Sequence, residues 1–190
     1  CQDSQGRIWV GLLGGGLNLI SEANGTIAFK HKYNGLKQYP LYGLYMEVRT
    51  MTEDNDGRIW VGTMDGLMSF DGHFTNPEEI QFETYRQVSE RSNVADNDIY
   101  VLYKDSESQI WVSVFGGGLN KLVHYDKERR VPVFKSYGIR EGMNNDVVKS
   151  IVEDKDGNLW FTTEIGLSCF NKDTEQFRNY DRYEIGRAHV

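Results

Sequence analysis

The sequence predicts an all-β protein: a β-propeller fragment of four-stranded antiparallel blades, about three of them complete and one partial. Two observations carry this. One phrase recurs around each of the four tryptophans: DSQGRIWVG at 3–11, DNDGRIWVG at 54–62, DSESQIWVS at 105–113 and DKDGNLWFT at 154–162. These tryptophans (Trp9, Trp60, Trp111 and Trp160) are 51, 51 and 49 residues apart, and a fixed period of this size marks a repeat architecture. Second, each copy continues in the same way, with a Gly-Leu pair (at 16, 66, 118 and 166) and then a Phe/Tyr pair (Phe29 and Tyr33, Phe82 and Tyr85, Phe134 and Tyr137, Phe177 and Tyr180).

Each unit therefore reads as four short strands, rich in β-branched and aromatic residues and punctuated by Gly, Asp and Asn. The first strand is the apolar run that ends in acid, at 48–54, 99–105 and 147–154. The first unit lacks it. The second strand holds the tryptophan, the third follows the Gly-Leu pair, and the fourth carries the aromatic pair. No segment sustains helical periodicity. The units fall at about 1–40, 45–92, 97–141 and 145–183.

The turn between the first two strands has its own chemistry. Asp54 and Gly57, and again Asp154 and Gly157, place Gly where the chain needs positive φ and Asp where its carboxylate can accept turn amides. Asp105 has Ser108 at the glycine position, which predicts a different turn or local strain. A calcium loop is the sharper reading of such acidic turns, but EF-hand spacing with its distal glutamate is absent, so a plain turn and no metal are expected. Each tryptophan is expected to pack between neighbouring sheets. Its flanking apolar residues should be covered on the opposite face, as in a radial stack where each blade has two neighbours.

The chain has 190 residues, with 39% hydrophobic and 13% aromatic content, 20 glycines and 3 prolines, which suits a folded β protein. Formal net charge is −7 and the 21 Lys and Arg form no basic stripe, so no nucleic acid partner is expected. No apolar run reaches membrane-spanning length. Cys169 is expected in the core, and the two cysteines do not define a redox compartment. The sequence EIGRAHV at 184–190 breaks the repeat and matches the conceptual translation of a sequencing adapter, so it is expected to be a non-native tail. A ring needs four to eight blades, so an arc of a larger ring is expected, with uncovered faces and edges that favour poor solubility.

The phrase D-x-x-G-x-[IL]-W-[VF]-[GST], followed by Gly-Leu and present four times in register, resembles the two-component regulator propeller repeat. The segment at 138–147 is similar to that family's link into the next first strand. The resemblance covers residues 3–183, with Ser108 for Gly and a short fourth linker as departures. It implies an extracytoplasmic, periplasmic-side sensor segment of a hybrid two-component histidine kinase. The parent would be membrane-anchored, with an oligosaccharide or other small ligand, the remainder of the kinase chain and a possible homodimer as partners. No cofactor is implied.

Nucleophile elbows, zincin helices, P-loops and dinucleotide patterns are absent. The triple glycines at 14–16 and 116–118 lead into no helix, so they read as turns rather than phosphate cradles. His31, His73 and His124 occupy unrelated repeat positions, which argues against a shared metal site. A lone Glu164 does not make a glycosidase, which needs two carboxylates, so no enzyme activity is expected. Binding is expected where the copies disagree, on loops carried by a rigid scaffold. The inter-unit candidates are Tyr39, Tyr42, Tyr45, Asn93, Asn97, Met143, Asn144 and Asn145. Those between the second and third strands are Met64, Asp65, Phe115 and Glu164. Two alternatives to a sensor are a protein-interaction scaffold and a lyase or hydrolase propeller.

Overall fold

In the computed structural model, described for residues 1–23, 25–86 and 97–186, the chain forms four antiparallel meanders. Sheet 1 has three strands: β1 (Ile8–Leu12), β2 (Gly16–Ala23) and β3 (Thr26–Lys30). Its missing first strand is represented by one bridge, from Gln2 to Ile8. Sheet 2 orders β4 (Val48–Glu53), β5 (Arg58–Thr63), β6 (Gly66–Asp71) and β7 (Glu83–Tyr85). Sheet 3 orders β8 (Ile99–Lys104), β9 (Ile110–Val114), β10 (Gly118–Asp126) and β11 (Val131–Tyr137). Sheet 4 orders β12 (Val148–Glu153), β13 (Leu159–Thr163), β14 (Gly166–Asn171) and β15 (Gln176–Asp181). A short helix, α1 (Arg182–Gly186), follows, so the expected foreign tail begins inside it; residues 187–190 lie outside the described ones.

The sheets stack in chain order through their first strands, with β4 against β8 and β8 against β12. This is the blade arrangement of a propeller arc. Because every meander runs the same way, the turns between strands one and two sit at one end. The turns between strands two and three sit at the other, together with the connections between sheets.

The core lies between sheets. Trp9 joins a cluster with Ile59, Val61, Met68 and Phe70 of sheet 2. Trp60 joins Ile110, Val112 and Leu122 of sheet 3, and Trp111 joins Leu159, Phe161 and Phe170 of sheet 4. These three indoles are at most 1% exposed. Two expectations need correction here. Trp160 is only half-buried, since no sheet covers its side, and on the far side of sheet 1 Ile8 is 46% exposed. Cys169 pairs across the ladder with Trp160 on that uncovered face and is half-buried rather than a core residue.

Each tryptophan is also fixed from within its own sheet. Its Nε1–H donates to the aspartate six residues earlier: Trp9 to Asp3 at 2.8 Å, Trp60 to Asp54 at 2.8 Å, Trp111 to Asp105 at 2.9 Å and Trp160 to Asp154 at 2.7 Å. The other carboxylate oxygen accepts the amides two and four residues on, as Asp54 does from Asp56 and Arg58 at 2.9 Å each. One carboxylate thus closes the turn and orients the indole. Burial alone would raise the Asp3 and Asp105 carboxyls, yet these hydrogen bonds hold both below the ordinary range. The Trp160 hydrogen bond leads the causes that bring Asp154 down to about 2. Ser108 keeps the same turn at φ 66, so the missing glycine is met by left-handed strain and not by a new turn.

Candidate functional site

The first strands share a local irregularity. In β4 the register slips between Val48 and Thr50, in β8 between Ile99 and Val101, and in β12 between Val148 and Ser150. The extra residues are Arg49, Tyr100 and Lys149. A bulge leaves its residue outside the ladder and re-aims its side chain, and bulges recur beside functional sites. Here all three sit at the end of the arc that carries the inter-sheet connections.

The three side chains meet there. The Arg49 guanidinium lies 4.7 Å from the Tyr100 ring centre and Lys149 Nζ lies 4.3 Å from it. Tyr100 thus receives one cation from each neighbouring sheet. Phe115, from the β9–β10 turn, sits 5.7 Å from Tyr100, and Lys149 also lies 5.4 Å from the Phe115 ring. Acids hold the cations: Arg49 donates to Asp98 at 2.8 Å, and Lys149 stands 3.5 Å from Glu164 of the β13–β14 turn. A cavity of about 390 Å³ opens beside them, lined by Leu13, Glu47, Val48, Arg49, Met64 and Tyr100.

Leu13, Met64, Phe115 and Glu164 are the equivalent turn residues of the four sheets, so this mouth grades from apolar at sheets 1 and 2 to aromatic and then charged. Its groups can stack on a planar or sugar-ring face, and they donate and accept hydrogen bonds on both sides of that face.

Of the residues singled out in the sequence, Met64, Phe115 and Glu164 are brought together here. The others are not. Tyr39 is 4% exposed and its hydroxyl donates to the Tyr45 carbonyl at 2.6 Å; burial raises its hydroxyl well above the ordinary value. It plugs the core, as Tyr45 and Met143 also do. Asp65 accepts Arg86 at 2.7 Å and the Leu44 amide at 3.2 Å, tying down the connection into sheet 2. Asn144 accepts Thr163 at 2.9 Å and Ser168 at 3.1 Å inside sheet 4, and Asn145 closes its own turn on the Val147 amide at 2.8 Å. Tyr42 is 56% exposed, its hydroxyl 2.9 Å from that of Thr84. Asn97 is half-buried just before β8, and Asn93 lies outside the described residues.

Arg49, Tyr100 and Lys149 were missed because they lie inside strands that read as uniform. The signal was present: they are the positions where otherwise matching first strands carry a cation, an aromatic and a cation. Among the described residues no group of three His, Cys, Asp or Glu side chains could hold a metal ion, and no helix is long and apolar enough to cross a membrane.

The family described as two component regulator propeller matches residues 43–65 and 142–164. No curated protein matches the sequence significantly. Among solved structures, the chain is similar to the extracellular domain of a protein described as a one component system from B. thetaiotaomicron, with 22% identity and a TM-score of 0.70 over 97% of this chain. It is also similar to PorZ, a surface component of the type-IX secretion system of Porphyromonas gingivalis (16% identity, TM-score 0.64, 94% covered), and to virginiamycin B lyase from Staphylococcus aureus (14%, 0.60, 95%). At these identities the likeness shows the propeller fold. The chain spans 25% of the first protein, 26% of the second and 54% of the third. Four copies of the tryptophan phrase stand in register, and the second and fourth of them lie in the two segments that match the two component regulator propeller family.

Proposed function

We propose that this segment senses an oligosaccharide at the mouth formed by Arg49, Tyr100 and Lys149, as the extracytoplasmic, periplasmic-side part of a hybrid two-component histidine kinase. The observation that carries the reading is the shared bulge. Three equivalent strands break register at one position, and there the repeat places a cation, an aromatic and a cation against one another at one end of the arc. Tyr100 and Phe115 supply ring surface, while Asp98, Glu164 and the two cations supply hydroxyl partners. The family match on a regulator propeller supports a signalling role. Signalling would follow from a shift in population: a ligand that exchanges with Asp98 or Glu164 favours one arrangement of sheets 2, 3 and 4.

Calorimetry against a panel of plant and host oligosaccharides tests this. A bound oligosaccharide whose affinity falls about tenfold or more in Lys149→Met is the expected result. An interaction scaffold is favoured instead by binding to a protein and to no glycan. Catalysis is favoured by turnover of a bound ligand that Glu164→Gln abolishes.

A further inference from the structure

At the opposite end of the arc the three seams between sheets are closed in different ways. Between sheets 1 and 2, the Ser4 amide and hydroxyl donate to Glu53 at 2.6 and 2.7 Å. Between sheets 3 and 4, the Ser106 amide and hydroxyl donate to Glu153 at 2.7 and 2.9 Å. Lys172 also bridges Glu153 at 2.7 Å and Asp105 at 3.1 Å there. Between sheets 2 and 3 the corresponding residues are Asn55 and Lys104, which cannot form the Ser–Glu clasp, and the ion pairs Lys127–Asp56 and Arg130–Glu83 cross the seam in its place. The clasp is missing at that seam, and the surface opens.

Three adjoining hollows of about 240, 320 and 460 Å³ form one groove there. At its centre three carboxylates (Asp54, Asp56 and Asp71) face three cations (Arg58, Lys127 and Arg130), and Glu79 and Glu83 in the third hollow leave the groove as a whole with more acids than cations. Its aromatic wall is Tyr125, with the Arg58 guanidinium 4.0 Å from the ring. The Tyr125 hydroxyl is shielded from solvent and forms no hydrogen bond of good geometry. Arg130 is held at φ 58 on the hairpin tip and reaches Glu83 of the neighbouring sheet, while Lys127 reaches Asp56 at 2.9 Å. Both cations keep spare donors on exposed side chains, and Asp71 and Asp56 keep spare acceptors.

We propose that this groove is a second binding site, distinct from the mouth, that takes a single neutral sugar unit. The unit would bridge sheets 2 and 3 where the Ser–Glu clasp is absent. Donors and acceptors in alternation and one aromatic wall match a polyhydroxylated ring better than an apolar molecule, and the surplus of carboxylates disfavours an anion. The site stands apart from the mouth reading, borrowing from it only the ligand class.

The test uses Lys149→Met as background, which weakens the mouth and leaves the groove intact. Binding of glucose, galactose, mannose and arabinose is followed by saturation-transfer NMR, with melting curves to confirm folding. At least one sugar binds saturably, and its affinity falls roughly tenfold in both Arg130→Met and Asp71→Asn. The proposal is overturned if none of the four binds, or if binding is unchanged in the two groove variants. Failure of the mouth reading is a separate result, since there oligosaccharide affinity would be indifferent to Lys149→Met itself.

Discussion

Trp60 and Trp160 occupy the same place in the same motif, and they differ in one respect. Both donate to an aspartate six residues earlier, at 2.8 and 2.7 Å. Both face a tyrosine of the fourth strand, Tyr85 at 6.2 Å and Tyr180 at 5.7 Å. Yet Trp60 is fully buried and Trp160 is not. The same contrast appears on the reverse faces. Leu159 and Phe170, paired across sheet 4, are 0% exposed, while Ile8 is 46% exposed in the equivalent pair of sheet 1 with Ile20. The polar clamp is therefore a property of the single sheet, whereas the burial is a property of the stack. A sheet alone holds its tryptophan in place, but only a neighbour takes it out of water, and that step supplies most of the hydrophobic stabilisation.

The comparison can be broken most sharply by truncation. Trp60→Ala should cost about 3–5 kcal/mol in denaturant unfolding, the usual range for a buried aromatic. Trp160→Ala should cost clearly less, about 1–2 kcal/mol, because part of its surface is already wet. Equal losses would mean that stacking is not what distinguishes them.

Next comes the turn after the second strand. Gly118 sits at φ 70, and a Cβ there would run into the Tyr137 carbonyl. Gly118→Ala should therefore lose more than about 1 kcal/mol, read from the same unfolding curves. A neutral result would show that β11 can move away.

Acid should probe the clamps themselves. Asp3, Asp105, Glu153 and Asp154 are all held below their ordinary values in the folded chain. Groups so depressed add stability that is complete above the unfolded value near 4 and is lost as pH falls through the folded value, about 2 for Asp154. Melting temperatures should fall steadily across that window. Since the clamps are local, the fall should persist in Trp160→Phe less the contribution of Asp154.

The smallest effect is expected at Ser108. Glycine would relieve its left-handed strain but would add freedom to the unfolded chain, so Ser108→Gly should raise stability by about 0.5 kcal/mol or less. A loss would mean that the Ser108 side chain contributes contacts that outweigh the strain.

The architecture was legible in the sequence because it is written four times: period, strand order and turn chemistry are all local patterns. What escaped was non-local. The spacing of six between each Asp and Trp was visible, but only the folded hairpin shows that the second carboxylate oxygen takes the indole. Tyr39 read as a loop aromatic and is a core plug, since hydropathy does not say which way a connection folds back. The bulges at Arg49, Tyr100 and Lys149 had no glycine or proline to announce them, so half of the mouth was invisible until register could be counted.

Two half-buried aromatic pairs now compete as ligand platforms: Trp160 with Tyr180, which belongs to the repeat, and Tyr100 with Phe115, which does not. If repeated residues build the stack and the unlike ones bind, oligosaccharide titration by calorimetry should separate Tyr100→Leu from Trp160→Leu. The expected result is an affinity about tenfold weaker in Tyr100→Leu and unchanged in Trp160→Leu. The reverse pattern, with binding lost at Trp160 and kept at Tyr100, would contradict the account.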